Sequence, residues 1–374
     1  MRGDQDLQNP LLFVAHTEER LAQDHPLRAI QRRADEVLKP MSRDFDAASS
    51  AQGRPSLPPE ARLKALLLQG LYAIASERRL VDALNWNLLY RWFCDLDPDQ
   101  AVWDPTTFTK NRERFERPGR VRKFFERGVA RALIEAYASN DHFTVDGTLI
   151  QSWASRKSFR PKDESRDEPP PDGSRNPSVD FRGQKRTNQT HPSTTDPAAR
   201  LARKGQGQPA LLSHSGHLVM ENRHALCLDI RVAAAAGHAE RQMAQTMLRR
   251  FRRRHHLRPQ TLSADKGYAA GAFLHAVEKD LKITPQVPIS AARVTTPGPE
   301  GDARRRLLRR MKTLGYQISQ RARKKVEQIF GWLKQPGGLR KVRHVGRWKI
   351  QQVADWWAAA YNLLRLAHLD GRAA

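Results

Sequence analysis

The sequence predicts an α/β protein, a mixed sheet flanked by helices, preceded by an all-α region. Three observations carry this prediction. From residue 59 to about 138 the apolar residues recur at helical spacing, with no strand pattern between them. Over residues 142–150 the period changes to two, and Phe143, Val145 and Leu149 alternate with Thr144, Asp146 and Thr148. Beyond an insertion the order is strand, strand, helix, strand, helix, strand, helix, which suits a sheet covered by helices.

Composition bounds the partner. Lys plus Arg exceed Asp plus Glu by 65 − 40 = 25 over 374 residues, an excess spread along most of the chain. Such a surface suits a polyanion, and nucleic acid before a membrane. No apolar run approaches the roughly 20 residues that span a bilayer, and the N-terminus lacks the basic-then-apolar order of a secretory signal. Cys94 and Cys227 form no Cys-x-x-Cys pair, so structural zinc is unsupported and a reducing cytoplasm is expected.

Three domains are expected: an N-terminal arm and helix (1–58), a helical DNA-binding domain (59–139), and a catalytic domain (140–374) with a loop-rich insertion at about 155–210. In the first, residues 24–38 read as one amphipathic helix. In the second, Pro58 and Pro59 open a helix carrying Leu63, Leu67 and Leu71. Ser76 caps another with Leu80, Leu84, Leu88 and Trp92. Asp104 and Pro105 start a third that displays Lys110, Arg112 and Arg114. A basic helix after short helices suits a helix-turn-helix-like DNA reader, and equally a plain bundle with a solvated basic face. A longer helix over roughly 120–138 closes the region.

In the third, Asp146 stands mid-strand, where Asp is disfavoured, unless Asp146-Gly147 is a strand-end turn. Residues 211–219 and 225–232 read as an antiparallel pair. His214 and His217 on the first of them point to opposite faces and read as surface residues rather than a metal pair. A helix over about 237–254 follows, then a short strand ending at Asp265, a helix over about 270–280, and a strand that Pro285 and Pro288 place at a sheet edge. Glu327 is the only carboxylate between Asp302 and Asp355, in a stretch rich in Lys and Arg. On one helix with Val326, Ile329, Phe330 and Leu333 as its apolar face, Arg323, Glu327 and Lys334 share one side. That helix alone is most simply read as an Arg323–Glu327 ion pair. Trp356 and Trp357 on the last helix read as core anchors.

Asp146, Asp265 and Glu327 are candidate ligands for hard cations. Phosphodiester chemistry uses carboxylates that hold two such ions about 4 Å apart, and oxygen donors select Mg²⁺ or Mn²⁺. The neighbouring cations would seat phosphates.

The motifs around these acids resemble those of the DDE transposases of bacterial insertion sequences, in particular the insertion-sequence-five family. Residues 145–150 (Val-Asp-Gly-Thr-Leu-Ile) resemble the strand of the first Asp, and residues 264–268 (Ala-Asp-Lys-Gly-Tyr) the second. Arg323, Glu327 and Lys334 stand at the spacing of the third motif. Further resemblance lies at 24–28, 53–56, 76–80, 103–110 and 176–181, so nearly the whole chain is covered. One departure is Gln320, where the family usually has Tyr; Tyr316 lies one turn earlier.

The resemblance implies a ribonuclease-H-like core with Asp146, Asp265 and Glu327 as catalytic ligands of two Mg²⁺ ions, with Mn²⁺ as a substitute. It implies double-stranded DNA as partner, both terminal inverted repeats and target, a homo-oligomer on that DNA, no membrane, and a bacterial cytoplasmic location. Arg323, Lys334, Lys110, Arg112, Arg114, Arg340 and Lys341 are the expected DNA contacts. The rivals are a DNA-binding regulator without catalysis and a ribonuclease-H-like nuclease without strand transfer.

Overall fold

A computed structural model describes residues 17–47, 58–108, 119–162, 187–205, 207–236, 239–290 and 297–373. The chain clusters into two compact units, Met1–Phe115 with Ala367–Ala374, and Glu116–Leu366.

The first unit is helical. Helix α1 (Pro26–Leu38) is capped by His25, whose Nδ1 accepts from the Leu27 amide, and it buries Leu27, Ile30, Ala34, Val37 and Leu38. Pro59 opens α2 (Pro59–Leu71) and Ser76 caps α3 (Glu77–Trp86). The apolar spacing that predicts one helix from Leu80 to Trp92 is broken at Asn87. Its backbone is extended and its side chain accepts from the Tyr90 amide, so it caps a separate helix, α4 (Leu88–Phe93). Several basic residues here face inward. Lys64 is 1% exposed and its ammonium sits 2.6 Å from both Asp35 and Asp95. Buried Arg91 donates to the carbonyls of Leu84, Asp97 and Gln100, which closes the loop after α4. Asp104 caps a turn as expected, accepting from the Thr106 amide at 2.8 Å. The basic helix that would follow, with Lys110, Arg112 and Arg114, lies outside the described residues.

The second unit begins with α5 (Arg120–Ile134), which buries Val121, Phe124, Phe125, Val129 and Ala132. The sheet contains β1 (His142–Ser152), β2 (Arg200–Ala202), β3 (Leu211–Glu221), β4 (Leu226–Ala234), β5 (Thr261–Ser263), β6 (Thr284–Gln286) and β7 (Lys341–Val342). The order is β2-β3-β1-β5-β6, with β4 also on β3 and β7 also on β1. β1 and β3 are antiparallel, as are β3 and β4; β5 runs parallel to β1, and β6 to β5. This is the mixed α/β sheet that the change of period predicts, with β6 and its Pro285 at the edge of the path.

Helix α6 (Ala239–His255) covers the Phe143 face, where the Phe143 and Phe251 rings meet edge to face at 5.1 Å. Helices α7 (Gly271–Lys279), α8 (Pro299–Arg310), α9 (Leu314–Arg323), α10 (Lys325–Lys334) and α11 (Arg347–Ala373) complete the chain. α11 protects β4. Gln351 and Asn362 bond the backbone of Val232, Ile230 and Cys227, and Tyr361 donates to Ala225, which satisfies an otherwise open strand edge. Trp356 is buried and stacks on Phe124 at 5.3 Å, so its core role stands.

The described part of the insertion is anchored to the sheet. β2 pairs with β3, and Asp196 is buried, accepting from Ser152 at 2.8 Å and bonding His214 at 2.9 Å. Residues 176–181 lie outside the described residues. His214 and His217 are not surface residues. β3 is an interior strand, buried from Leu212 to Glu221.

His217 has neither ring nitrogen hydrogen-bonded among the described residues, and burial pulls its pKa down to about 4. The unfolded chain therefore takes up a proton near pH 6.5 that the folded chain refuses until about 4. This stability is fully present above about pH 6.5 and is lost as pH falls through about 4, about 3 kcal/mol in all. His217→Leu is expected to flatten that part of a pH–stability curve. An unchanged curve would assign the acid sensitivity elsewhere.

Candidate active site

The site is built on two adjacent parallel strands. Thr144 of β1 pairs with Ser263 of β5, and their hydroxyls bond at 2.7 Å in the buried interior. Asp146 and Asp265 each lie two residues beyond that pair. Side chains two apart share a face, and neighbouring strands are about 4.8 Å apart, so the two carboxylates project side by side. Asp146 lies within a continuous strand, with Gly147 paired to His217, so Asp146-Gly147 is not a turn. Its Oδ1 accepts from the Gly147 amide at 2.8 Å. Asp265 lies just past the end of β5, and its Oδ1 accepts from the Gly267 amide at 2.8 Å, capping a short 3₁₀ turn over Lys266–Tyr268.

Burial pushes the Asp146 carboxyl up to about 6. The Gly147 amide opposes this, the negative charge of Asp265 adds to it, Arg323 opposes it, and Glu240 adds to it. Asp146, Asp265, Arg323 and Glu240 therefore share one electrostatic site. Glu240 is the acid that sequence reasoning missed. It stands in the first turn of α6, and an ideal Cβ on Gly147 would meet its Oε1 at 2.8 Å. Burial raises its pKa, and so does Asp265. An acid opening the helix that follows a β-hairpin was the available signal.

The third motif takes a different shape from one continuous helix. A turn at Lys324 separates α9 from α10, so Arg323 ends one helix and Glu327 sits in the first turn of the next. The Arg323–Glu327 ion pair does not form among the described residues. Val326, Ile329, Phe330 and Leu333 are buried, as their spacing predicts. Glu327 is exposed and is not among the groups acting on Asp146. Arg323 is such a group, and its Nε is buried without an acceptor among the described residues. Gln320 donates to the Gln286 carbonyl at 2.6 Å, which ties α9 to β6. Tyr316 is buried and within range of the Arg323 charge.

Cations continue along β1. Lys334 donates to Thr148 Oγ1, two residues beyond Asp146 on the same face. Burial lowers the Lys334 pKa, and the charges of Lys204 and Arg340 add to that. Arg340 and Lys341 are exposed. Lys341 Nζ and the Arg343 guanidinium lie 4.7 and 5.5 Å from the ring centre of Trp153, which is half exposed just past the end of β1. Like charges gathered this way are relieved by an anion.

Among the described residues no group of three or more His, Cys, Asp or Glu side chains stands at metal-binding spacing. The donor chemistry nevertheless fits a hard divalent cation. Asp146 and Asp265 offer carboxylate oxygens, the donors that such a cation takes, and the charge of each acts on the site where the other stands. No described helix is long and apolar enough to cross a membrane.

Two family models match the chain. One, described as a transposase domain (DUF772), covers residues 15–114. The other, described as a transposase DDE domain, covers residues 186–363 and so includes Glu240, Asp265, Arg323, Glu327 and Lys334 but not Asp146. No curated protein and no solved structure matches the chain.

Proposed function

The chain is a DDE transposase of an insertion sequence, and we propose that it binds the terminal inverted repeats of its element, cuts there and joins the 3′ ends to target DNA. Its membership of the insertion-sequence-five group is part of this proposal. Asp146, Asp265 and Glu327 would hold Mg²⁺ or Mn²⁺, two ions in all. Such ions activate an attacking hydroxyl and neutralise the leaving oxygen. Arg323 would hold the phosphate beside Asp146, Lys334 the next along β1, and Arg340 and Lys341 the backbone beyond. Lys110, Arg112 and Arg114 are proposed contacts to the repeat. The observation that carries this proposal is the placement of Asp146 on β1 and Asp265 just past the end of the parallel neighbour β5, each acting on the other's site, with the charge of Arg323, whose Nε has no acceptor among the described residues, acting on Asp146 as well.

The test incubates the protein with its own inverted-repeat ends, a target plasmid and Mg²⁺. Joined products that chelation abolishes are expected. Nicks without joining would favour the nuclease, and binding without either would favour the regulator. A second expectation concerns Lys334. Lys334→Ala should weaken DNA binding at every sequence tested and reduce the slope of log affinity against log salt by about one. An unchanged slope would remove Lys334 from the phosphate seat.

A further inference from the structure

We infer that Lys204, carried by the insertion, is a further seat for the DNA backbone beside Lys334 and Arg340, and that Asp196 is the positioning residue that holds it there. The inference rests on the reading of Lys334 and Arg340 as phosphate contacts. It starts from the face of the sheet that the insertion crosses. Along β1, Asp146, Thr148, Ile150 and Ser152 alternate onto one face, and His214 of β3, paired with Ile150, shares it. Asp196 joins the far end of that row. It accepts from Ser152 at 2.8 Å and meets His214 Nε2 at 2.9 Å, and the Asp and His side chains are both fully buried. The insertion therefore lies on the face of Asp146 and Lys334, at the far end of β1.

The segment that carries Lys204 is held on both edges. β2 pairs with β3 from Arg200 opposite Ser213 to Ala202 opposite Leu211. Its outer edge is closed by Asn188, which donates to the Leu201 carbonyl at 2.9 Å and accepts from the Leu201 amide at 2.7 Å. Ala199 and Leu212 pack with Phe159 beneath it. Lys204 stands exposed two residues past β2. Arg340 is fixed from the other side, its carbonyl accepting from the Gln151 amide at 3.2 Å. The charges of Lys204 and Arg340 both act on Lys334, whose ammonium is tied to Thr148. No carboxylate pairs with any of the three among the described residues. Three cations from three segments, gathered without an acid, make a place that a backbone phosphate relieves.

The alternative is that Lys204 is a solvated charge and Asp196 an anchor of the fold alone. The test is the salt dependence with which the full chain binds a duplex carrying the element's own repeat end. Lys204→Ala is expected to reduce the slope of log affinity against log salt by about one, as Lys334→Ala does. Asp196→Ala is expected to cost the same slope by releasing the segment. Lys204→Ala added to Asp196→Ala should then change nothing more, whereas Lys334→Ala added to it should still remove about one. Ser152→Ala, which takes away one of the two bonds to Asp196, goes through the same comparison should Asp196→Ala fail to fold. If Lys334→Ala lowers the slope and Lys204→Ala does not, Lys204 is no seat. If Lys204→Ala lowers it equally with and without Asp196, the positioning role is overturned. If Lys334→Ala also leaves the slope unchanged, the phosphate reading itself has failed, and that of Lys204 with it.

Discussion

Asp146→Asn and Asp265→Asn are each expected to lower strand joining by about 10³-fold, with DNA retention unchanged or slightly stronger. The magnitude follows from several kcal/mol of transition-state stabilisation lost with a ligand of the reacting ions, at about 1.4 kcal/mol per factor of ten. The substitution is chosen to isolate charge. Asp146 Oδ1 accepts from the Gly147 amide and Asp265 Oδ1 from the Gly267 amide, and the amide oxygen of Asn can accept the same bonds. Strand and turn therefore persist while the anion is removed. Retention should hold because each change takes a negative charge away from a surface that binds phosphates. The measurement is the yield of joined product against time, beside a filter-retention curve for the same variant. A variant within about tenfold of the parent would remove that Asp from the chemistry. Glu327→Gln belongs in the same series, because Glu327 is exposed while Asp146 and Asp265 are partly enclosed.

Arg122→Met should have the largest effect on stability. Arg122 is mostly buried on α5 and donates to Asp355 at 2.8 Å, to the Ile230 carbonyl at 3.3 Å, and to Asp229 and Glu126. Asp355 is 1% exposed, and burial pushes its carboxyl up to about 6 even with the Arg122 charge opposing. Removing the cation leaves two buried carboxylates facing each other, a change that costs about 3–5 kcal/mol. In a unit of this size that lowers the melting temperature by on the order of 10 °C. Arg122→Met combined with Asp355→Leu should recover about half or more, because apolar replacement of a buried ion pair is often neutral. Arg231, whose Nε lies 3.4 Å from Asp229, remains to pair with the other acid. A single variant that melts like the parent would show that water reaches the acids.

The sheet was legible because its signals are local. Alternation marks β1, β3 and β4, Pro285 marks an edge, and Ser76 and Asp104 cap as their positions suggest. Asp146 and Asp265 were legible for the same reason, each being an acid in or just beyond a short apolar strand. The helix breaks at Asn87 and Lys324 were not, since apolar spacing continues across both; an extended residue makes the first, and a tightening to i→i−3 hydrogen bonds around Lys324 makes the second. Basic residues were the other limit. In a sequence Lys64, Arg91 and Arg122 look like Arg340 and Lys341, and only tertiary neighbours separate cations that face buried acids or carbonyls from exposed ones.

The place of α5 has a practical consequence for dissecting the molecule. A fragment cut at residue 140 would keep all of β1, Asp146 and Asp265, yet would leave Asp229 and Asp355 without Arg122 and Trp356 without Phe124. Expressed alone, such a piece should aggregate or require acid to stay compact. One begun at Gly119, slightly longer, would retain both contacts and is the piece in which the chemistry can be studied by itself.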